Sequence, residues 1–475
     1  MDRNAPPAFK IITLGCKTNQ SESDDIAREL CAAGFINHGH LSGNSGTYPL
    51  KADSTGYKDA DFKDSDYMDH IKSHAINPDY IIINTCTVTA ATDSKVRQSI
   101  RAARKNAPEA IIIATGCFSI FNDRTLKELG ADHVFANNRK GLIAGFIKDS
   151  LKNNKNNSLK EPGQPLAFHE RSRAFVKIQD GCQQGCTYCI VPLVRGQYNS
   201  KKPAEIIDEI NLLAGNGYEE IVLTGIHIGK YGVDFHGDGD TASNLTSLLG
   251  RIIESTQARR IRLSSIEINE IDSGLIDIIC GSNRRIAGHL HIPLQSGSDS
   301  VLAAMNRKYD TAFFDKIILE IKNRMPSIAL TTDIIAGFPG ETNKDFEMTV
   351  DMILKTGFSK VHVFKYSPRA KTAAALMEGQ IDEKVKKTRS RTAIELAEGL
   401  RKQFIAASIG RPQEVVYEEF DLKTQLASGT SENYIKTYFC IPHWHNYSFI
   451  KKGKILSVMA DELYRDGLLG SIIYQ

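Results

Sequence analysis

Gly181-Cys-Gln-Gln-Gly-Cys-Thr-Tyr-Cys189 follows directly on an apolar run, Phe175-Val-Lys-Ile178, and places three thiols, Cys182, Cys186 and Cys189, on one short loop. A short apolar run of this kind reads as a buried strand. An iron–sulfur cubane normally takes four thiolates, so three at this spacing hold three irons and leave the fourth without a protein ligand. An open iron binds a small molecule through an amine and a carboxylate. The competing reading is a structural zinc loop. Closed zinc sites want four ligands, often as two Cys-x2-Cys pairs. No fourth cysteine lies close by, and the nearest histidine, His169, precedes the strand.

Cys-x3-Cys-x2-Cys after a strand, with the aromatic Tyr188 before the last cysteine, resembles the radical S-adenosylmethionine superfamily. The amino-acid end of S-adenosylmethionine carries both an amine and a carboxylate. The resemblance implies that an electron passed through the cluster cleaves the sulfonium to give a 5′-deoxyadenosyl radical. The protein's part is then to bind, aim and shield the cofactor.

Composition sets the frame. The chain has 475 residues, 41% hydrophobic and 24% charged, with a net charge of +3 and a pI near 8.2. That length exceeds one hydrophobic core and predicts two to four domains. The mild basicity permits a nucleic-acid partner without requiring one. No apolar run approaches the ~20 residues of a membrane span, and Met1-Asp-Arg-Asn-Ala-Pro-Pro7 lacks a signal-peptide core. Nine cysteines in such a chain predict a reducing compartment and a cytoplasmic protein with no membrane partner.

Three apolar runs open the chain: Phe9–Leu14, Tyr80–Ile83 and Ala110–Ala114. Each reads as a parallel strand buried on both faces. Amphipathic segments at Ser21–Ala33 and Ser94–Lys105 separate them, which predicts a parallel α/β layer. A cysteine follows each strand: Cys16, Cys86 and Cys117. Parallel strands end on one edge roughly 4.8 Å apart, so these thiols converge at the carboxyl ends, where such sheets bind ligands. Gly15 and Gly116 allow close approach to a bulky inorganic core. The triplet reads as a second iron–sulfur site. Cys31, Cys280 and Cys440 lack this setting and read as small hydrophobes.

The polar stretch His38–His74 is too long for an ordinary α/β connection and reads as a solvated surface insertion. After a helical run at Gly141–Leu151, residues 152–166 are polar with Pro and Gly, a linker. The predicted domains are therefore 8–151, 167–409 and 410–475.

The second domain shows six strand candidates: Phe175–Ile178, Ile221–Thr224, Ile261–Ser264, His289–Ile292, Leu330–Ile335 and Lys360–Phe364. Helices at Pro203–Ala214, Leu245–Glu254, Ser298–Ala304, Ala312–Lys322 and Phe346–Leu354 intervene. Six β/α repeats predict a partial, open (β/α)6 barrel with its chemistry at the carboxyl ends of the strands. The segments after those ends offer Thr224 and Gly225, Ser264, Gln295 and Gly337, suited with Tyr188 to hold the carboxylate, ribose and adenine of S-adenosylmethionine. A basic helix from Asp382 to Ala407 follows. From Gln413 onward the pattern is β: Glu414–Glu418, Asn433–Tyr438, Lys454–Val458 and Gly470–Tyr474. This suits a five-stranded barrel of the oligonucleotide-binding kind, whose aromatics stack on bases.

With both triplets and the β tail placed, the chain outside the insertion resembles the methylthiotransferases. Gly15-Cys-Lys-Thr-Asn-Gln20, Asn84-Thr-Cys-Thr-Val-Thr89 and the cysteine loop with Ile190-Val-Pro-Leu-Val-Arg-Gly196 carry the resemblance, and Ser428–Tyr434 looks like the opening motif of a TRAM RNA-binding domain. The first two motifs resemble the threonylcarbamoyladenosine (MtaB-like) branch. Tyr366-Ser-Pro-Arg-Ala-Lys-Thr-Ala-Ala374 lacks the family's glycine, and Pro442-His-Trp-His445 departs from its hydrophobic tail.

The resemblance implies two [4Fe–4S] clusters, on Cys16/Cys86/Cys117 and Cys182/Cys186/Cys189, and two S-adenosylmethionines per turnover. It implies methylthiolation at C2 of the modified adenosine in the tRNA anticodon loop. It also implies a low-potential electron donor such as flavodoxin or ferredoxin. The rival readings are the isopentenyladenosine or ribosomal-protein aspartate branches, a radical enzyme acting on a peptide, and a non-catalytic iron–sulfur RNA-binding protein.

Overall fold

The computed structural model describes residues 6–42, 78–152, 171–235, 244–441 and 451–474. The chain divides into two units, Met1–Leu166 and Ala167–Gln475.

In the first unit the elements run β1 (Ala8–Thr13), α1 (Lys17–Ala32), β2 (Ile36–Ser42), β3 (Tyr80–Thr85), α2 (Ala90–Asn106), β4 (Ile111–Gly116), α3 (Ser119–Glu128), β5 (His133–Val134) and α4 (Ile143–Lys152). The sheet has five parallel strands in the order β2-β1-β3-β4-β5. The three apolar runs are its centre. Ile12, Ile81, Ile83, Ile112 and Ala114 share one core with Val96 and Ile100 of α2. Thr89 caps α2 through its side chain, accepting from the Thr92 amide at 3.2 Å.

Two features depart from the sequence reading. Ile36–Ser42 is an edge strand paired with β1, Ala8 opposite Ile36 and Ile12 opposite Leu41, so His38 lies in the sheet and not in an insertion. A parallel edge strand needs only backbone pairing on one side, which the polar Asn-His-Gly-His composition conceals. The rest of the expected insertion lies outside the described residues, as does most of the 152–166 linker, whose first residue closes α4. The short α3 and β5 carry too little periodicity to be read in advance.

The second unit contains β6 (Ala174–Asp180), α5 (Val191–Arg195), β7 (Asn199–Ser200), α6 (Pro203–Gly215), β8 (Glu220–Gly225), α7 (Leu245–Ser255), β9 (Arg260–Leu263), α8 (Ser273–Gly281), β10 (His289–His291), α9 (Asp299–Ala304), α10 (Thr311–Arg324), β11 (Ala329–Ala336), α11 (Asn343–Thr356), β12 (Lys360–Lys365) and α12 (Glu383–Ala406). β6, β8 and β9 are parallel neighbours, as are β10, β11 and β12. Parallel bridges from Ile261 to Ile286 and from Ser265 to His291 join the two sets. The result is the expected open six-stranded partial barrel, with β7 a short antiparallel addition to β6. Ile221, Leu223, Ile261 and Leu263 pack under α6 and α7. By strand alternation Glu220, Thr224, Arg260 and Arg262 face the other way, into the barrel.

The chain then forms β13 (Pro412–Asp421), β14 (Leu426–Ser431), β15 (Lys436–Phe439), β16 (Ile455–Tyr464) and β17 (Gly467–Ile472), a closed barrel in the order β13-β14-β15-β17-β16. The expected strand Asn433–Tyr438 is split. Tyr434 takes a left-handed φ of 63°, Ser431–Tyr434 forms a turn, and the strand starts at Lys436. Pro442–His445 lies outside the described residues.

That turn packs onto the base of the partial barrel. Glu220, fully buried, accepts from Arg260 at 2.9 Å and Arg262 at 2.7 Å, and Arg173 lies 3.0 Å away. Arg262 donates onward to the carbonyls of Glu432 at 2.7 Å and Ser431 at 3.1 Å, and Arg260 to that of Glu414 at 2.9 Å. Buried charge is tolerated when each ion is paired and hydrogen-bonded.

Candidate functional site

The cysteine loop leaves β6 through Gly181. Its φ is +74°, and a Cβ there would lie 1.7 Å from the Gln197 carbonyl oxygen, so only glycine fits. Asp180 holds the same amide at 2.8 Å. The Cys182 amide donates to Gly196 at 3.0 Å and that of Cys189 to Cys186 at 3.0 Å. Thr187 ties the middle of the loop down, its amide to Met305 at 3.1 Å and its hydroxyl to Ala304 at 2.9 Å.

The strand ends expected to serve the site meet this loop. His227, three residues beyond Thr224, brings Nδ1 to 3.5 Å from Cys182 Sγ, and its Nε2 lies 2.6 Å from Glu270. Burial opposes its charging, but hydrogen bonds to Cys182 and Glu270 carry its pKa up to about 9. Arg307 donates from Nη1 to Cys186 Sγ at 3.4 Å, pairs with Glu267 beyond β9, and donates from Nε to the Tyr309 hydroxyl at 3.2 Å. That hydroxyl lies 3.0 and 2.9 Å from the carbonyls of Pro293 and Leu294 beyond β10. Tyr188 stands edge-on to Phe338 beyond β11, ring centroids 6.5 Å apart, against Met305 and Tyr366. Four strand ends thus converge on one loop.

Thr224 is buried at the end of β8, and a Cβ on Gly225 would lie 2.8 Å from the Gln179 carbonyl. The Ser264 hydroxyl is buried with no hydrogen-bond partner among the described residues. Gln295 has φ of 66°, and its amide bonds Asp333 at 2.8 Å. Gly337 has φ of 77°, and its amide is committed to the Glu341 carboxylate at 2.8 Å. Its role visible here is packing, since a Cβ would lie 2.3 Å from Lys386 Cγ. Arg307, Tyr309 and Glu270 escaped the sequence reading. Arg307 and Tyr309 follow a helix and Glu270 closes the short turn Ile268–Glu270, and nothing in Met305-Asn-Arg-Lys-Tyr309 marks a site.

In the first unit the register sets Thr13, Asn84 and Thr115 side by side, so the three cysteine loops leave adjacent strand ends. The Cys117 amide donates to Thr85 at 3.0 Å and that of Leu14 to Asn84 at 2.8 Å. Asn19 Nδ2 bridges the carbonyls of Leu14 at 2.9 Å and Thr85 at 3.0 Å, the residues leading into the Cys16 and Cys86 loops. Gly15, φ +121°, would put a Cβ 2.7 Å from that of Cys86. Cys86 and Cys117 are buried and Cys16 is exposed. Of the remaining cysteines only Cys31 is buried, whereas Cys280 and Cys440 are exposed, so the small-hydrophobe reading holds for Cys31 alone.

Among the described residues no three His, Cys, Asp or Glu groups close on a point that holds a single metal ion. A cubane carries its irons at separate corners and asks for spread thiolates. The donors fit one. Burial pushes the Cys189 thiol up to about 12, and raises that of Cys186 against the pull of Arg307. Such thiols ionise when a metal replaces the proton, and Arg307 stands ready as a charge-assisted donor to the sulfur.

Residues 176–353 match the Radical SAM superfamily and residues 60–136 match the Uncharacterized protein family UPF0004. The chain is 34% identical to the threonylcarbamoyladenosine tRNA methylthiotransferase MtaB of Thermotoga maritima, over 97% of this chain and 96% of that one. It is 36% identical to MtaB of Bacillus subtilis over 90% and 89%. Its fold is similar to the radical S-adenosylmethionine methyltransferase TsrM of Kitasatospora setae, with a TM-score of 0.51 and 14% identity, covering 78% of this chain and 77% of that one. The chain therefore belongs to the radical S-adenosylmethionine methylthiotransferase family, in its MtaB-like group, and is an iron–sulfur enzyme that transfers a methylthio group to tRNA.

Proposed function

We propose that this enzyme inserts a methylthio group at C2 of N6-threonylcarbamoyladenosine beside the tRNA anticodon. It would use two [4Fe–4S] clusters, on Cys16/Cys86/Cys117 and on Cys182/Cys186/Cys189, two molecules of S-adenosylmethionine per turnover and a low-potential electron donor, and act in the cytoplasm. The observation that carries the reading is the pair of cysteine triplets, each at the carboxyl edge of its own parallel sheet, in a chain that ends in a closed β-barrel. The choice of base rests on the names of the relatives.

When bound, the cofactors supply a reductively generated 5′-deoxyadenosyl radical and a sulfur to transfer. The chain's residues do the rest. Arg307, a buried cation within reach of Cys186, is the group to meet the methionine carboxylate. Ser264 and Thr224 face the barrel interior for the nucleoside. The loop ties to Met305, Ala304 and Phe338 hold the site rigid and shield it from water, which a reactive radical requires. The target base lies in a loop, where RNA can be splayed open, and leaves the stack to reach the site. The β-barrel holds the RNA.

Mass spectrometry of tRNA nucleosides from a deletion strain tests the assignment. We expect loss of the 2-methylthio form of threonylcarbamoyladenosine with its unthiolated parent retained. Loss of the methylthiolated isopentenyladenosine instead would move the enzyme to the sister branch.

A further inference from the structure

The interior face of the partial barrel carries polar side chains one layer below the cysteine loop. Leu290, Ile292, Leu330 and Ile334 of β10 and β11 lie in the outer core, and Val361 and Val363 of β12 pack against it. Strand alternation therefore turns His291, Asp333, His362 and Phe364 inward. They are neighbours by register: His291 stands beside Thr331, Asp333 beside His362 and Ile335 beside Phe364. The His291 ring is held on both sides, its Nδ1 2.9 Å from the Thr331 hydroxyl and its Nε2 3.2 Å from the Asp333 carboxylate. The His362 ring meets it at a centroid distance of 5.8 Å.

This layer is open rather than sealed. The side chains of His291 and Asp333 are 15% and 27% exposed, His362 is partly exposed, and Phe364 is 46% exposed. It also leads directly to the radical site. β10 runs on to Pro293 and Leu294, whose carbonyls meet the Tyr309 hydroxyl, and β12 to Tyr366, which packs with Phe338 and Tyr188. His291 and Phe364 each lie two residues short of those groups, roughly 7 Å along the strand.

The reaction proposed above defines what this layer must hold, and the inference rests on that reading. When the C2 edge of the adenine faces the cysteine loop, the N6 substituent leaves from another edge of the ring. The threonylcarbamoyl group is a urea bearing a hydroxyl and a carboxylate, so it brings donors and a strong acceptor together. The isopentenyl group is apolar. An imidazole keeps at least one N–H in either protonation state, and an ionised carboxylate only accepts. We propose that this layer recognises the N6 substituent. His362 donates to its carboxylate, Asp333 accepts from its urea N–H or hydroxyl, and Phe364 packs on the base. His291, fixed between Thr331 and Asp333, is a positioning residue. The Asp333 charge is matched on this face by Lys360, the next inward position of β12. A site built to hydrogen-bond such groups rejects an apolar substituent strongly, because its own polar groups are then left unpaired.

Kinetics on anticodon stem-loop RNAs test this. One RNA carries threonylcarbamoyladenosine, a second isopentenyladenosine, and a third the threonylcarbamoyl base with its carboxylate converted to a carboxamide. The full-length, cluster-reconstituted parent should favour the carboxylate substrate over both others in kcat/KM. His362→Leu should lower kcat/KM for that substrate about tenfold or more, the loss expected for one hydrogen bond to a charged group. It should also remove most of the gap between carboxylate and carboxamide. His362→Gln, which keeps an N–H donor, should recover part of that gap. Phe364→Ala should weaken binding of all three RNAs about fivefold or more, because stacking does not depend on the substituent. Variants are compared at matched iron content and melting temperature. A parent indifferent to the carboxylate, or a carboxylate-to-carboxamide ratio that His362→Leu leaves unchanged, overturns the proposal while the assignment of the base stands. A parent that methylthiolates only the isopentenyl RNA overturns both.

Discussion

The Arg262 guanidinium sits 4.1 Å from the ring centroid of Tyr434, although 172 positions of sequence separate them. Arg262 comes from the inner face of β9 and Tyr434 from the turn between β14 and β15. His289, at the start of β10, meets the same ring edge-on at 4.5 Å. The turn that looked in sequence like part of an RNA-binding motif is spent, in large part, on fixing the β-barrel to the partial barrel.

Removing this contact should destabilise the second unit. Arg262→Ala leaves Glu220 buried with fewer partners, a loss of about 3–5 kcal/mol for a broken buried pair. Thermal melting should show the drop, and limited proteolysis should open the segment between α12 and β13. A melting temperature within a degree or two of the parent would mean that the pairs contribute little.

The same network predicts an acid response. Burial alone would raise the Glu220 carboxyl, but Arg262 and then Arg173 hold it well below the usual carboxylate range. A folded pKa below the unfolded one adds stability that is complete above the unfolded value and is lost as pH falls, here from about pH 5 downward. Urea midpoints between pH 3 and 7 should therefore fall less steeply for Glu220→Gln than for the parent. Parallel slopes would remove Glu220 from the acid transition.

The two cysteine triplets should separate by function. Anaerobic reconstitution should yield about eight irons, two cubanes. Cys186→Ala should abolish 5′-deoxyadenosine formation, whereas Cys86→Ala should spare much of it and end sulfur insertion. Equal loss of both activities in the Cys86 variant would count against the division, and saturation near four irons in the parent would remove the first-unit cluster.

Gly116 offers a backbone test of the first-unit site. Its φ is +103°, and a Cβ would lie 2.2 Å from the Thr85 carbonyl oxygen, next to the Cys86 loop. Gly116→Ala should lower iron content by about half while cofactor cleavage at the Cys182 loop persists. Full iron retention, read by electron paramagnetic resonance and iron assay, would show that the edge tolerates the shift.

Much of this protein was legible in its sequence because the signals are local. Short apolar runs marked each strand that carries a cysteine, the spacing of Cys182, Cys186 and Cys189 is a property of one loop, and β/α alternation implied parallel sheets. Polarity hid β2, and its shortness hid β5. What tertiary structure decided is which charges meet. Arg307 reaches Cys186 across 121 residues and Arg262 reaches Glu432 across 170. An arginine in a strand or after a helix carries no sign of its partner. Strand alternation turns Glu220, Arg260 and Arg262 inward, and only the closing of the sheets brings their counterparts within hydrogen-bond distance, where burial makes the pairing obligatory.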